Sequence, residues 1–182
     1  MLLNLVKSPD PLLHELSKNV AIIDNKIKKI MQDMLETMYH NHGIGLAAVQ
    51  VGILQKIIII DIDYKLTENF GDNKNNGYKI SNQNPRFLVN AKIIKSSNKS
   101  SIFKEGCLSF PGASSDVSRP KEVTVQYLDF EGKEHIEEMS GLLATCVQHE
   151  IDHTNGITFV DHISKLKRDI ILKKMRKLKG IK

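Results

Sequence analysis

Apolar positions along the chain fall into a few strongly periodic stretches. Through residues 25–42, NKIKKIMQDMLETMYHNH, the residues Ile27, Ile30, Met31, Met34, Leu35 and Met38 recur at three- and four-residue spacing. That spacing puts them on one face of a helix, which Gly43 closes. The methionines read as adaptable core packing and not as a ligand site. Residues 141–155 predict a second helix, with Leu142, Leu143, Cys146, Val147 and His149 largely inward and Gly156 ending it. A third helix is expected over residues 164–178, where Ile170, Ile171, Met175 and Leu178 line one face and lysines cover the rest.

Between the helices the pattern changes. Residues 56–61 form a short apolar run typical of a buried strand, and residues 87–95 and 121–130 also read as strands. Residues 130–133 predict a turn leading into a further strand over 134–139. The segment GIGLAAVQVG at 43–52 is too rich in glycine for a regular helix and too apolar for an exposed loop. It reads as backbone held close against something. Residues 64–85, rich in Asn, Lys, Gly and Ser without periodicity, are expected to be a long surface insertion. Strands precede the motif helix as a block and there are no internal repeats, which indicates an α+β fold.

Composition narrows the class. At 182 residues the chain fits one domain, and 41% hydrophobic with 26% charged residues is ordinary for a soluble globule. No apolar run is long enough to cross a bilayer. The opening MLLNLVKSPDP is too short an apolar run for a signal peptide and lacks a small-residue cleavage site. Two cysteines make no disulfide framework, so a reducing cytoplasm is the expected setting. The net charge of +5 is carried by the end of the chain, where residues 165–182 hold nine Lys or Arg against one Asp.

The densest chemistry lies in His149-Glu150-Ile151-Asp152-His153. Residues i and i+4 share a helix face, so both imidazoles can grip one metal ion. Glu150, next to the first ligand, can take a proton from metal-bound water. Two histidines leave the coordination incomplete. Downstream candidates are Asp161, His162 and Asp169, none in a recognisable zinc-peptidase arrangement. Upstream, Cys107 in Glu105-Gly106-Cys107-Leu108-Ser109 offers a soft thiolate. Cys146, on the motif helix itself, is the competitor and reads as a small buried hydrophobe.

Three blocks, Gly43-Ile44-Gly45-Leu46-Ala47-Ala48-Val49-Gln50, Glu105-Gly106-Cys107-Leu108-Ser109 and His149-Glu150-Ile151-Asp152-His153, stand in this order and at separations that resemble the bacterial-type peptide deformylases. The similarity begins at Pro9-Asp10-Pro11, runs to the basic tail and omits only residues 64–85. It implies one catalytic domain over residues 1–182, with mostly antiparallel sheets around a central HExxH helix and a C-terminal helix. It also implies a hydrolase that removes the N-formyl group from the initiator methionine of nascent polypeptides and releases formate. On that resemblance Cys107, His149 and His153 bind ferrous iron, with nickel, cobalt or zinc as substitutes. Metal-bound water attacks the formyl carbon with Glu150 as general base and then acid, while the Gln50 amide and Leu108 N–H stabilise the oxyanion. Main-chain contacts to substrate fall to Ile44, Gly45 and Gly106. A methionine pocket draws on Ile44, Phe103, Glu105, Leu142, Thr145, Cys146 and His149.

Three further expectations concern residues around these blocks. Asp152 is expected to pair with Arg119 and not to ligate metal. Thr154, where an apolar residue usually stands, and Ser114 and Ser115, where some relatives carry a basic contact, bear on subsite preference. The basic tail has two readings, a packed terminal helix with a solvated cationic face or attachment to ribosomal RNA through phosphate contacts. Against the deformylase reading stand a small zinc peptidase, disfavoured by Cys107 as third ligand, and a non-enzymatic ribosome-binding module, disfavoured by Glu150 and Gln50.

Overall fold

A computed structural model describes residues 1–69 and 77–180. In chain order these form α1 (Asn25–His40), β1 (Gly45–Ala47), β2 (Ile57–Ile60), β3 (Lys65–Asn69), β4 (Gly77–Ser81), β5 (Arg86–Ser96), β6 (Ser100–Gly106), β7 (Ser114–Pro120), β8 (Glu122–Leu128), β9 (Glu134–Ser140), α2 (Gly141–Thr154) and α3 (Lys165–Leu178). Helix α1 starts where the Asp24 carboxylate accepts the Ile27 N–H at 2.9 Å. It stops two residues before the predicted end, because Asn41 turns its backbone and side-chain N–H groups back to the Thr37 carbonyl.

Five strands make one antiparallel sheet in the order β1-β2-β5-β8-β9. The four isoleucines of β2 explain its place. Ile58 and Ile60 pack with Ala144, Cys146, Val147 and Ile151 of α2, while Ile57 and Ile59 pack with Met31, Met34 and Met38 of α1. A strand buried on both faces needs an apolar run and not an alternation. Helix α2 is thus enclosed in the core, with ten of its 14 residues buried. This is the expected α+β arrangement around a central motif helix.

Several elements depart from the sequence reading. Among its described residues the insertion carries a ribbon: β3 and β4 pair antiparallel from Lys65↔Ser81 to Asn69↔Gly77, and residues 70–76 lie outside the described residues. Backbone pairing with partial packing of Ile80 suffices for such a ribbon, and neither leaves an apolar period. The hairpin β6–β7 also escapes periodicity, since its inward positions include Glu105 and Arg119 beside Val117. The glycine-rich segment becomes the short edge strand β1 and one helical turn, Ala48–Val51, which ends at Gly52 with φ 82°. On α3 the packed residues are Ile171, Leu172 and Met175, whereas Ile170 and Leu178 are each 61% exposed. The cluster that holds Phe110 and Phe159 thus takes in only part of the predicted stripe. No helix among the described residues is long and apolar enough to cross a membrane.

Candidate active site

Helix α2 presents His149, Glu150 and His153, all buried, toward the end of β6. Cys107 follows β6 directly, and its Sγ lies 3.2 Å from His153 Nε2. Ligand atoms of Cys107, His149 and His153 all fall within 4.8 Å of one another. No other group of three or more His, Cys, Asp or Glu among the described residues is arranged to hold a metal ion. Cys146 stays outside it, with Sγ 3.7 Å from the Ile44 carbonyl oxygen. His162 pairs at 2.7 Å with Asp152.

Behind the ligands runs a buried ionic network. Glu105 Oε2 lies 2.8 Å from His149 Nδ1, which leaves Nε2 for a metal. The same carboxylate takes two N–H bonds from Arg119, at 2.6 and 3.1 Å. Arg119 then reaches Asp152 at 2.7 Å, the pairing expected from sequence. Burial works to raise the Glu105 pKa, but hydrogen bonds from His149 and Arg119 outweigh it and hold the carboxyl at about 2. Glu105 lines the cavity as expected, but its carboxylate is committed to His149 and Arg119.

Glu150 differs sharply. Burial lifts its pKa to about 7, only partly offset by His149 and Arg119. Its Oε2 is buried without a hydrogen-bond partner. A carboxylate poised near neutrality with one open oxygen suits proton transfer, and a cation on the neighbouring ligands would draw its pKa back down. The approach of β1 to it depends on Gly45. A Cβ there would run into the Glu150 carboxylate and lie 2.8 Å from Cys146 Sγ. Hence the glycine that the sequence marks as a close-contact position is required by the Glu150 carboxylate and the Cys146 thiol.

Gln50 is 1% exposed and fixed at both ends of its amide. Its Oε1 accepts the Ala47 N–H at 2.8 Å, which turns Nε2 toward Cys107 Sγ at 3.3 Å and Ser109 Oγ at 3.2 Å. Ser109, fully buried, is a part of this arrangement that sequence reasoning missed, although it lies within the block around Cys107.

A cavity of about 400 Å³ opens beside these groups. Every residue expected at the site lines it except His153, which sits fully buried behind Cys107. Ile44 and Leu142, 39% and 42% exposed, flank its mouth; the inward placement expected of Leu142 becomes a rim position. Phe103, Gly106, Leu108 and Thr145 complete the predicted wall. Gly43, one of the two glycines around Ile44 that suit close approach of a substrate backbone, also lines the cavity, as do His42, Lys104, Phe110, Gly112 and Ala113, which the sequence reading gave no role.

One thiol, two imidazoles and an adjoining buried carboxylate with an open oxygen form a donor set that fits a divalent transition metal. The polypeptide deformylase family model matches residues 2–169. The chain is 44% identical to a peptide deformylase of Rhizobium meliloti over 173 residues, 95% of this chain and 91% of that one. It is 45% identical to the peptide deformylase of Brucella suis over 174 residues, covering 96% and 91%. Among solved structures, peptide deformylase from Ehrlichia chaffeensis superposes with a TM-score of 0.85 at 42% identity, covering 99% and 98% of the two chains. The same protein in complex with actinonin gives 0.83 at 40% identity, covering 97% of each. On the strength of a family match across nearly its whole length and full-length relatives above 40% identity, this chain belongs to the polypeptide deformylase family of amide hydrolases.

Proposed function

We propose that the enzyme removes the formyl group from the amino-terminal methionine of nascent polypeptides and releases formate. The observation that carries this reading is the placement of Glu150, buried with an open oxygen, beside the cluster of Cys107, His149 and His153 and at the floor of the cavity. We assign ferrous iron to that cluster, with nickel, cobalt or zinc as substitutes. When bound, the ion would acidify a water and polarise the formyl oxygen.

The chain's own groups account for the rest. Glu150 accepts the attacking water's proton at Oε2 and returns it to the departing amine. Gln50 Nε2 and the Leu108 N–H donate to the oxyanion as it develops. Ala47 holds the amide in advance, so donation requires only that one Nε2 N–H turn from Cys107 Sγ or Ser109 Oγ to the oxyanion. Glu105 keeps the His149 ring oriented throughout. The methionine side chain enters between Phe103, Leu142, Thr145, Cys146 and His149, while Ile44, Gly45 and Gly106 offer main-chain groups to an extended peptide.

Helix α3 carries the second half of the proposal, docking on ribosomal RNA. Lys173 and Lys177 are exposed and share a side with Leu166 and Ile170. Deformylation would then take place in the cytoplasm on the emerging chain.

The deciding experiment is formate release from formyl-Met-Ala-Ser by protein loaded anaerobically with ferrous iron, beside Glu150→Ala. Turnover by the parent and a metal-retaining but inactive variant are expected. No formate from a folded, iron-loaded parent would reject deformylation, and cleavage of an internal peptide bond would favour a peptidase.

A further inference from the structure

Tyr64 opens the insertion to which the sequence assigns no role. Its hydroxyl donates to the Gly43 carbonyl at 2.9 Å, and its ring packs edge-on against Tyr39 with centroids 4.8 Å apart. Beneath both lies Asp61, fully buried, which accepts the Tyr39 hydroxyl at 2.5 Å. The Asp61 carboxylate also accepts backbone N–H groups of Asp63 at 3.0 Å, Tyr64 at 3.1 Å and Asn84 at 2.8 Å. Both stems of the β3–β4 ribbon therefore converge on one carboxylate. The Asp61 N–H in turn donates to the Ile44 carbonyl at 2.9 Å.

The base of the insertion thus holds two successive carbonyls, Gly43 and Ile44, of a segment that lines the cavity. That segment leads into β1, the end strand of the five-stranded sheet. With a glycine on each side of Ile44 it loses much conformational freedom on ordering, and restraint has to come from outside it. Burial and the Asp61 carboxylate raise the Tyr64 pKa, so the phenol remains a donor across the physiological range.

We propose that Tyr64 is a positioning residue for the peptide-binding edge: its hydroxyl fixes the Gly43–Ile44 peptide group and so the register in which substrate beyond the formyl-methionine pairs. The inference rests on the deformylase reading. It makes the base of the insertion a brace for substrate binding.

Tyr64→Phe tests it, since the ring against Tyr39 is kept and only the hydroxyl is lost. Parent and variant with the same metal are compared on formyl-Met-Ala-Ser and on formyl-methionine amide, which has no downstream residues. The expected result is a KM for the tripeptide raised about fivefold, with kcat within about twofold and the amide unaffected. An unchanged KM, an equal change on both substrates or a loss confined to kcat overturns the proposal. Amide hydrogen exchange on the metal-free proteins supplies a readout independent of turnover. Faster exchange at residues 43–46 in the variant is expected, and equal exchange overturns the proposal. If the parent releases no formate from either substrate the deformylase reading falls, and exchange still decides whether Tyr64 restrains this edge.

Discussion

Helices α2 and α3 are each 14 residues long, yet ten residues are buried in α2 and one, Met175, in α3. Both carry many polar groups. In α2 most of those groups lie within the core, held by specific neighbours or, at Glu150, left with an open oxygen. His149 meets Glu105, Asp152 meets Arg119 and His162, and Glu150 keeps an open oxygen. In α3 the cations are exposed, with Lys174 donating to the Gly112 carbonyl and Arg168 pairing with Asp161 at the surface. Polar residues inside a core are expensive, and their concentration in α2 is what motivates the catalytic role proposed for it. Cations on a surface helix mark at most a field for a partner. The contrast between the helices predicts large, specific effects for α2 and its partners and small, diffuse ones for α3.

Four variants test that contrast. Glu150→Gln should lower kcat by about 10²–10⁴-fold, measured as formate release, while the metal content stays that of the parent. Arg119→Met leaves Glu105 and Asp152 without their shared cation, and its cost should be about 3–5 kcal/mol in urea unfolding. The Glu105 contribution also sets an acid limb. Because its folded pKa is depressed from 4.5 to about 2, the stability it supplies is complete above the unfolded value and is lost as pH falls toward the folded one. Melts of the metal-free protein across that window should show a fall in the parent and a shallower one in Arg119→Met. On α3, Met175→Ala empties a site 1% exposed in the cluster that holds Phe110 and Phe159 and should cost about 2–5 kcal/mol without altering kcat. Lys173→Glu with Lys177→Glu should change stability by less than about 0.5 kcal/mol and leave small-peptide turnover intact. The same pair should abolish salt-sensitive ribosome binding in a sedimentation assay. A stability loss in that pair as large as the Met175→Ala loss would break the contrast.

How far the sequence could be read varied with the range of the interaction. The i, i+4 spacing of His149 and His153 is a local fact, and periodicity located the helix that bears it almost to the residue. Apolar β2 was equally legible, since four consecutive isoleucines have little other use than a strand covered on both sides. The β6–β7 hairpin was not, because its buried positions include a salt bridge between Glu105 and Arg119 instead of an apolar alternation. Cys107 could be matched to the histidines by resemblance, but nothing within its own neighbourhood names them.

By itself the sequence determined the three helices, the main strands, the pair of histidines on one helical face and the charge asymmetry of the tail. These depend on spacing within one or two turns, which the chain carries wherever it goes. Tertiary structure alone decided that Cys107 meets His153 across 46 residues, that Glu105 orients His149, that Gly45 yields room to Glu150 and that Tyr64 holds Gly43. Such contacts arise when separate elements close on one core, and residue spacing carries no record of which distant element will arrive.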